Sequence, residues 1–152
     1  MLKLITSQLE FEELVNRTSW HDAYLRAVHY AAQRYQLDDG STIHRSGSLV
    51  QILLACPMER NVLELAAFEL KSLSVKPELD LECPKSAAIQ RRMTEADFGG
   101  FELICGCIGF RKLPENAASE LLSFSEESIY NGSDLAPPYN IDWRAALDAS
   151  LH

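Results

Sequence analysis

The chain predicts an α+β, mainly β fold, an antiparallel sheet or sandwich with an N-terminal helix and short peripheral helices. Three observations predict it. A Ser7-x-x-Glu10 capping box heads a short amphipathic segment, an Asp39-Gly40 pair sits between two strand-like runs, and the apolar run from Ser48 is closed by Pro57. One helix followed by several strands argues against a parallel sheet, which needs strands alternating with helices. With 152 residues and 47% hydrophobic content, residues 1–152 are expected to form a single domain that needs no disulfide or structural metal. From about residue 114 onward the sequence reads as irregular and acidic.

At the N-terminal end, Ser7 suits the cap and Glu10 the third helical position, so each can satisfy a backbone donor beside the other. Leu9, Phe11 and Leu14 would form the buried face, Glu12 and Glu13 would meet water, and the polar run Asn16 to Ser19 would end the helix. Residues 24 to 53 read as a β-meander: Tyr24, Val28, Tyr30 and Tyr35 favour strands, and Asp39-Gly40 supplies the positive φ that a tight hairpin requires. The run Ser48 to Pro57 fits a central strand buried on both faces. In "NVLELAAFELKSLSV" the alternation slips between Leu63/Leu65, Phe68/Leu70 and Leu73/Val75, which predicts a bulge or a break into two strands.

The stretch "KPELDLECPKSAAIQRRMTEADFGG" reads as loop around a short helix at Ala87 to Ala96. "GFELICGCIGFRKL" returns to strand, with Phe101, Leu103, Cys105 and Cys107 on one face. "NAASELLSFSEESIY" suggests another short helix, and Asp142 suits the cap of a last helical turn. The expected core includes Leu49, Ile52, Leu54, Leu65, Phe68, Leu70 and Phe101.

Charge narrows the partners. A net charge of −8 repels phosphate backbones, so nucleic acid is not expected. No apolar run nears the roughly 18 residues of a membrane span, and the N-terminal residues do not read as a secretory leader, so a cytoplasmic protein without a membrane partner is expected. In that compartment Cys56, Cys83, Cys105 and Cys107 are expected as small buried hydrophobes.

The pair His21-Asp22 invites comparison with metal-dependent phosphohydrolases, whose ligand set begins with an earlier histidine. No histidine precedes His21, and His29, His44 and His152 all follow it. The plainer expectation is structural: Trp20 enters the core, His21 lies buried beneath it, and Asp22 points to the opposite face of an extended segment. Cys105-Gly-Cys107 offers half of a zinc site, with no second pair to complete it. "SGS" at Ser46 to Ser48 reads as a strand entry, and neither a nucleophile elbow nor a phosphate loop is present. No catalytic residue, metal or cofactor is expected.

With its short N-terminal helix, then Trp20, His21 and Asp22, then a strand-rich body carrying "DGS" and "LVQILL", the chain resembles a small bacterial family over roughly residues 8 to 110. That family bears a Trp-His-Asp signature, and its members are uncharacterised or immunity-type proteins of polymorphic toxin systems. Together with the charge, the resemblance implies a non-enzymatic protein-binding module, an immunity-type inhibitor of a basic toxin. Glu115, Glu120, Glu126, Glu127 and Asp134 are the candidate partner-binding residues, because seven acidic residues stand against Arg144 alone after Pro114. The alternative is a metal-dependent hydrolase using His21 and Asp22, with His29 or His44 brought near by the hairpin. Oligomeric state is left open.

Overall fold

The computed structural model describes residues 2–31, 34–36, 39–40, 42–44, 48–78, 80–116, 139 and 141–150, with backbone alone at 31, 34–36, 42–44 and 150. The elements are β1 (Lys3–Ile5), α1 (Gln8–Arg17), β2 (Tyr24–Ala31), β3 (Arg34–Gln36), β4 (Thr42–His44), β5 (Leu49–Cys56), β6 (Asn61–Phe68), β7 (Ser72–Val75), β8 (Ser86–Gln90), β9 (Met93–Asp97), β10 (Phe101–Cys105), β11 (Cys107–Pro114) and α2 (Trp143–Ser150). Every strand pair is antiparallel. Two larger sheets have the orders β1-β11-β6-β5-β2 and β7-β10-β9-β8, and β3 pairs with β4 alone. The mainly β fold with an N-terminal helix and a short C-terminal one is the class the sequence predicts.

The helix start follows its capping box, with one change of partner. Ser7 Oγ accepts from Glu10 N–H at 3.2 Å, while the Glu10 carboxylate reaches back one residue further, to Thr6 N–H at 2.7 Å and Thr6 Oγ1 at 3.0 Å. Phe11 and Leu14 are buried, but Leu9 is 64% exposed. Leu9 precedes Phe11 by two positions, which is too large an angle on a helix for both to share one face.

β5 is buried along its whole length and lies between β6 and β2, as an apolar strand closed by proline should. The β6–β7 slip is real. Glu69 adopts φ 53°, and three residues (69–71) oppose two (105–106) between the ladders of β6 with β11 and β7 with β10. The same bulge reverses the strand's faces: Leu103 and Cys105 point into the main core, whereas Cys107 stands opposite Phe68 on the other side. The two cysteines therefore do not share a face, contrary to the simple alternation count.

Two further expectations are corrected. Residues 24 to 53 form not a meander but the two arms of one hairpin, since β2 pairs directly with β5 and β3 with β4. The Asp39-Gly40 turn lies between β3 and β4 as expected, with Gly40 at φ 86°. The segment 87–96 is not a helix but the hairpin β8–β9, turned at Arg91 and Arg92 with Arg92 at φ 57°. Alternation of Ala87 and Ile89 inward with Ser86, Ala88 and Gln90 outward decided it, outweighing the helix propensity of alanine.

The main core lies between α1 and the two larger sheets. It joins Val50, Ile52, Leu54, Leu63, Leu65 and Ile108 to Phe98, Phe101 and Leu103, and Phe11 meets Phe98 edge-on at 5.7 Å. A smaller apolar cluster covers the other face of the five-stranded sheet, where Leu49, Phe68 and Ala66 pack under Tyr139, Ile141 and Trp143. Of the expected core, Leu49 and Phe68 belong to this outer cluster, and Leu70 is half-buried against the main one. Asp142 Oδ1 accepts from Ala145 N–H at 3.1 Å and so caps α2, which runs two turns rather than one.

Candidate functional site

The outward face of the four-stranded sheet carries an unbalanced charge. Because side chains alternate along a strand, Glu95 and Asp97 on β9 and Glu102 on β10 share this face with Ser72, Ser74, Ser86 and Ala88. Glu102 stands directly opposite Asp97, and Glu95 directly opposite both Ala88 and Ile104. The remaining outward positions, Gln90, Met93 and Ile104, add no cation. The small side chains leave an open depression of about 340 Å³ between the carboxylates. Like charges placed directly across two strands are destabilising, so the face holds an interaction cost that a cation would relieve. Glu95 escaped the sequence reading because 87–96 was taken as helix, and Glu102, on a segment read as strand, had no partner there until β9 paired with β10; strict alternation in "TEAD" and "FELI" was the available signal.

The Trp-His-Asp segment divides between core and solvent. Trp20 packs half-buried against the main core, 6.3 Å from Phe98 between ring centroids, and its indole donates to Val15 O at 3.0 Å. Lys85 Nζ lies over the same ring at 4.2 Å, and burial pushes its ammonium below the ordinary lysine range. His21 is not buried under Trp20; it is exposed, as is Asp22. Asp22 takes φ 59° in a turn closed by Ala23 N–H to Trp20 O, so the segment is not extended and the two side chains converge. His21 Nδ1 lies 2.7 Å from Glu82 Oε1, His21 Nε2 lies 3.5 Å from Asp22 Oδ2, and Asp22 N–H donates to the same Glu82 oxygen at 3.2 Å. One donor atom from each of His21, Asp22 and Glu82 falls within 4.8 Å of the others. Glu82, sixty residues downstream of Asp22, has no spacing signature that could have announced it.

His29 does not join this group. It follows Tyr24 by five residues along β2, about 17 Å of extended chain, and stands opposite Gln51. His44 lies on β4. Glu115 is exposed just past β11, while Glu120, Glu126, Glu127 and Asp134 lie outside the described residues, as do Ser46, Gly47 and the segment expected to form a helix after Asn116. The buried thiols of Cys105 and Cys107 are pushed up to about 12, and burial also raises Cys56, so these three remain protonated core side chains near neutral pH. Cys83 is raised by its hydrogen bond to Asp80.

A third polar group is fully enclosed. On the outer face of the five-stranded sheet, the Glu64 carboxylate accepts from Arg111 Nε, from Gln51 Nε2 at 3.0 Å and from the Tyr139 hydroxyl. Glu64 and Gln51 are wholly buried and Tyr139 nearly so. Burial, then the hydrogen bond and charge of Glu64, raise the Tyr139 phenol above its ordinary range. No family model, curated protein or solved structure matches the chain.

Proposed function

We propose that the protein is a non-enzymatic binding module for a basic protein, acting in the manner of an immunity-type inhibitor. The observation that carries this reading is the grouping of three carboxylates, Glu95, Asp97 and Glu102, around a shallow depression on one sheet face, on a chain of net charge −8. A cationic side chain entering the depression gains Coulomb energy and relieves repulsion between Glu102 and Asp97, and the wider field speeds encounter with a positive surface. The Trp20-His21-Asp22 resemblance to immunity-type proteins agrees with it, and Glu115 adds an exposed carboxylate just past β11. The test is co-expression with the product of the adjacent gene. Rescue from toxicity, a complex that weakens with salt, and loss of both in a Glu95→Gln/Glu102→Gln double variant are expected; no rescue and no complex would sink the reading.

A second reading rests on the convergence of His21, Asp22 and Glu82. An imidazole and two carboxylates are the donor set of a catalytic divalent-metal site that keeps positions open for water and substrate, as a metal-dependent hydrolase requires. Elemental analysis of protein purified without chelators discriminates it: stoichiometric zinc or manganese lost in Glu82→Gln favours this reading, and its absence after loading removes it.

A further inference from the structure

We infer that Lys85 is the positioning residue of the His21, Asp22 and Glu82 cluster: its ammonium ties the loop 80–85 to Trp20 and so sets the Glu82 carboxylate against His21 and Asp22. Lys85 stands immediately before β8, so its backbone is fixed by the four-stranded sheet. Its side chain folds back over the loop that leads to it, where Nζ donates to Leu81 O and, at 2.7 Å, to Cys83 O. These two carbonyls belong to the residues on either side of Glu82. The peptide joining Leu81 to Glu82 is held at both ends, because Glu82 N–H donates to Asp80 Oδ1 at 3.1 Å. A backbone fixed on both sides of one residue restricts the rotamers open to its side chain.

The same ammonium reaches the other half of the cluster. Nζ lies 4.2 Å from the centroid of the Trp20 ring, and Trp20 is the residue before His21. Trp20 is itself anchored, by packing on the main core and by its indole bond to Val15 O. A cation over a half-buried ring is screened less than an exposed ion pair, so this contact is the firmer tie. The loop is also seated on Gly99, at φ 89°, where a Cβ would come within 2.7 Å of Asp80 O and 3.1 Å of Cys83 Cβ. Glu82 Oε1 then meets His21 Nδ1 at 2.7 Å and Asp22 N–H at 3.2 Å, both exposed contacts that add little strength of their own. An ionised carboxylate only accepts, so Nδ1 carries the proton of the neutral imidazole, and Nε2, 3.5 Å from Asp22 Oδ2, keeps the lone pair a cation would use. For cation binding this rests on the second reading above, whereas the placement of Glu82 is a property of the metal-free chain.

The experiment reads the nitrogen chemical shifts of the His21 ring in the full-length, metal-free chain at about pH 9, where imidazole is neutral and its tautomers are distinguishable. The wild type is expected to show Nδ1–H as its main form. Lys85→Met, which keeps the apolar stem but loses the charge and the donors, is expected to move His21 to the Nε2–H form; Lys85→Gln does the same, and Lys85→Arg restores the wild-type pattern. Cobalt(II), added as the probe and followed by its visible absorption, is expected to bind Lys85→Met about tenfold more weakly than wild type. In a Glu82→Ala background Lys85→Met is expected to add no further loss, because Lys85 acts through Glu82. A wild type already in the Nε2–H form, a His21 signature unchanged in Lys85→Met and Lys85→Gln that circular dichroism shows folded, or an additive loss in the double variant would overturn the role of Lys85. Failure of cobalt to bind the wild type, with His21 responding as expected, removes the metal reading and supports the positioning role alone.

Discussion

Glu64 and Arg111 face each other across β6 and β11, the carboxylate wholly buried and the guanidinium side chain 16% exposed. A buried carboxylate is tolerated only while its partners remain, so removing one partner costs more than removing both. Arg111→Met should therefore destabilise the protein by about 3 kcal/mol or more, while the double change Glu64→Leu/Arg111→Met should recover much of that loss. Urea denaturation of both variants and the wild type checks it, and equal losses in the single and double variants would refute it.

The Trp-His-Asp segment should behave as two separable parts. Trp20→Ala removes a half-buried indole from the Phe98 cluster together with its bond to Val15 O, and should cost about 2 kcal/mol. His21→Ala removes an exposed ring and should change stability by no more than about 0.5 kcal/mol. Thermal melts of the two variants give the comparison.

Acid sensitivity should pass through Glu59. Burial works to raise this carboxyl, but hydrogen bonds from Lys112, Ser19 N–H and Asn61 outweigh it and hold the group below its ordinary 4.5. A carboxyl depressed in the folded state contributes stability fully above its unfolded value, and that contribution fades as pH falls through the folded one. Glu59→Gln should therefore flatten the decline in stability between about pH 5 and pH 3. An unchanged slope in chemical denaturation across that window would contradict the assignment.

The acidic sheet face should trade stability against binding. Glu102→Gln removes a like-charge cross-strand contact with Asp97 and should stabilise the isolated protein by a few tenths of a kcal/mol, roughly 0.2–1. The same change should weaken capture of the basic partner, most clearly at low salt. A variant that is both less stable and equally competent in binding would speak against this face.

Much of the fold was legible because local patterns and global architecture agreed. Ser7, Asp39-Gly40 and Pro57 each mark an element boundary that survives in three dimensions, and the slipping phase around Phe68 announced the bulge at Glu69. The misreading of 87–96 has a definite cause. Ala87 to Ala96 has alanine-rich composition, and composition was weighed above an alternation that becomes decisive only when a neighbouring strand, β10, is there to pair with it. The sites were less legible still. Glu82 meets His21, Arg111 meets Glu64, and Tyr139 meets Gln51 across 61, 47 and 88 residues, and no local rule carries information over such separations.

The placement of β1 has a consequence for how the chain is made. Its three residues pair with Ile108 to Phe110, so this strand waits for a partner synthesised about a hundred residues later. At roughly 5–20 residues per second that delay is on the order of 5–20 s, long compared with the microseconds in which a helix such as α1 can form. During that interval β1 lacks its neighbour in the sheet, β11. Translation thus delays the β1–β11 pairing behind local pairings such as β5 with β6, and long-range closures of this kind are the slow ones.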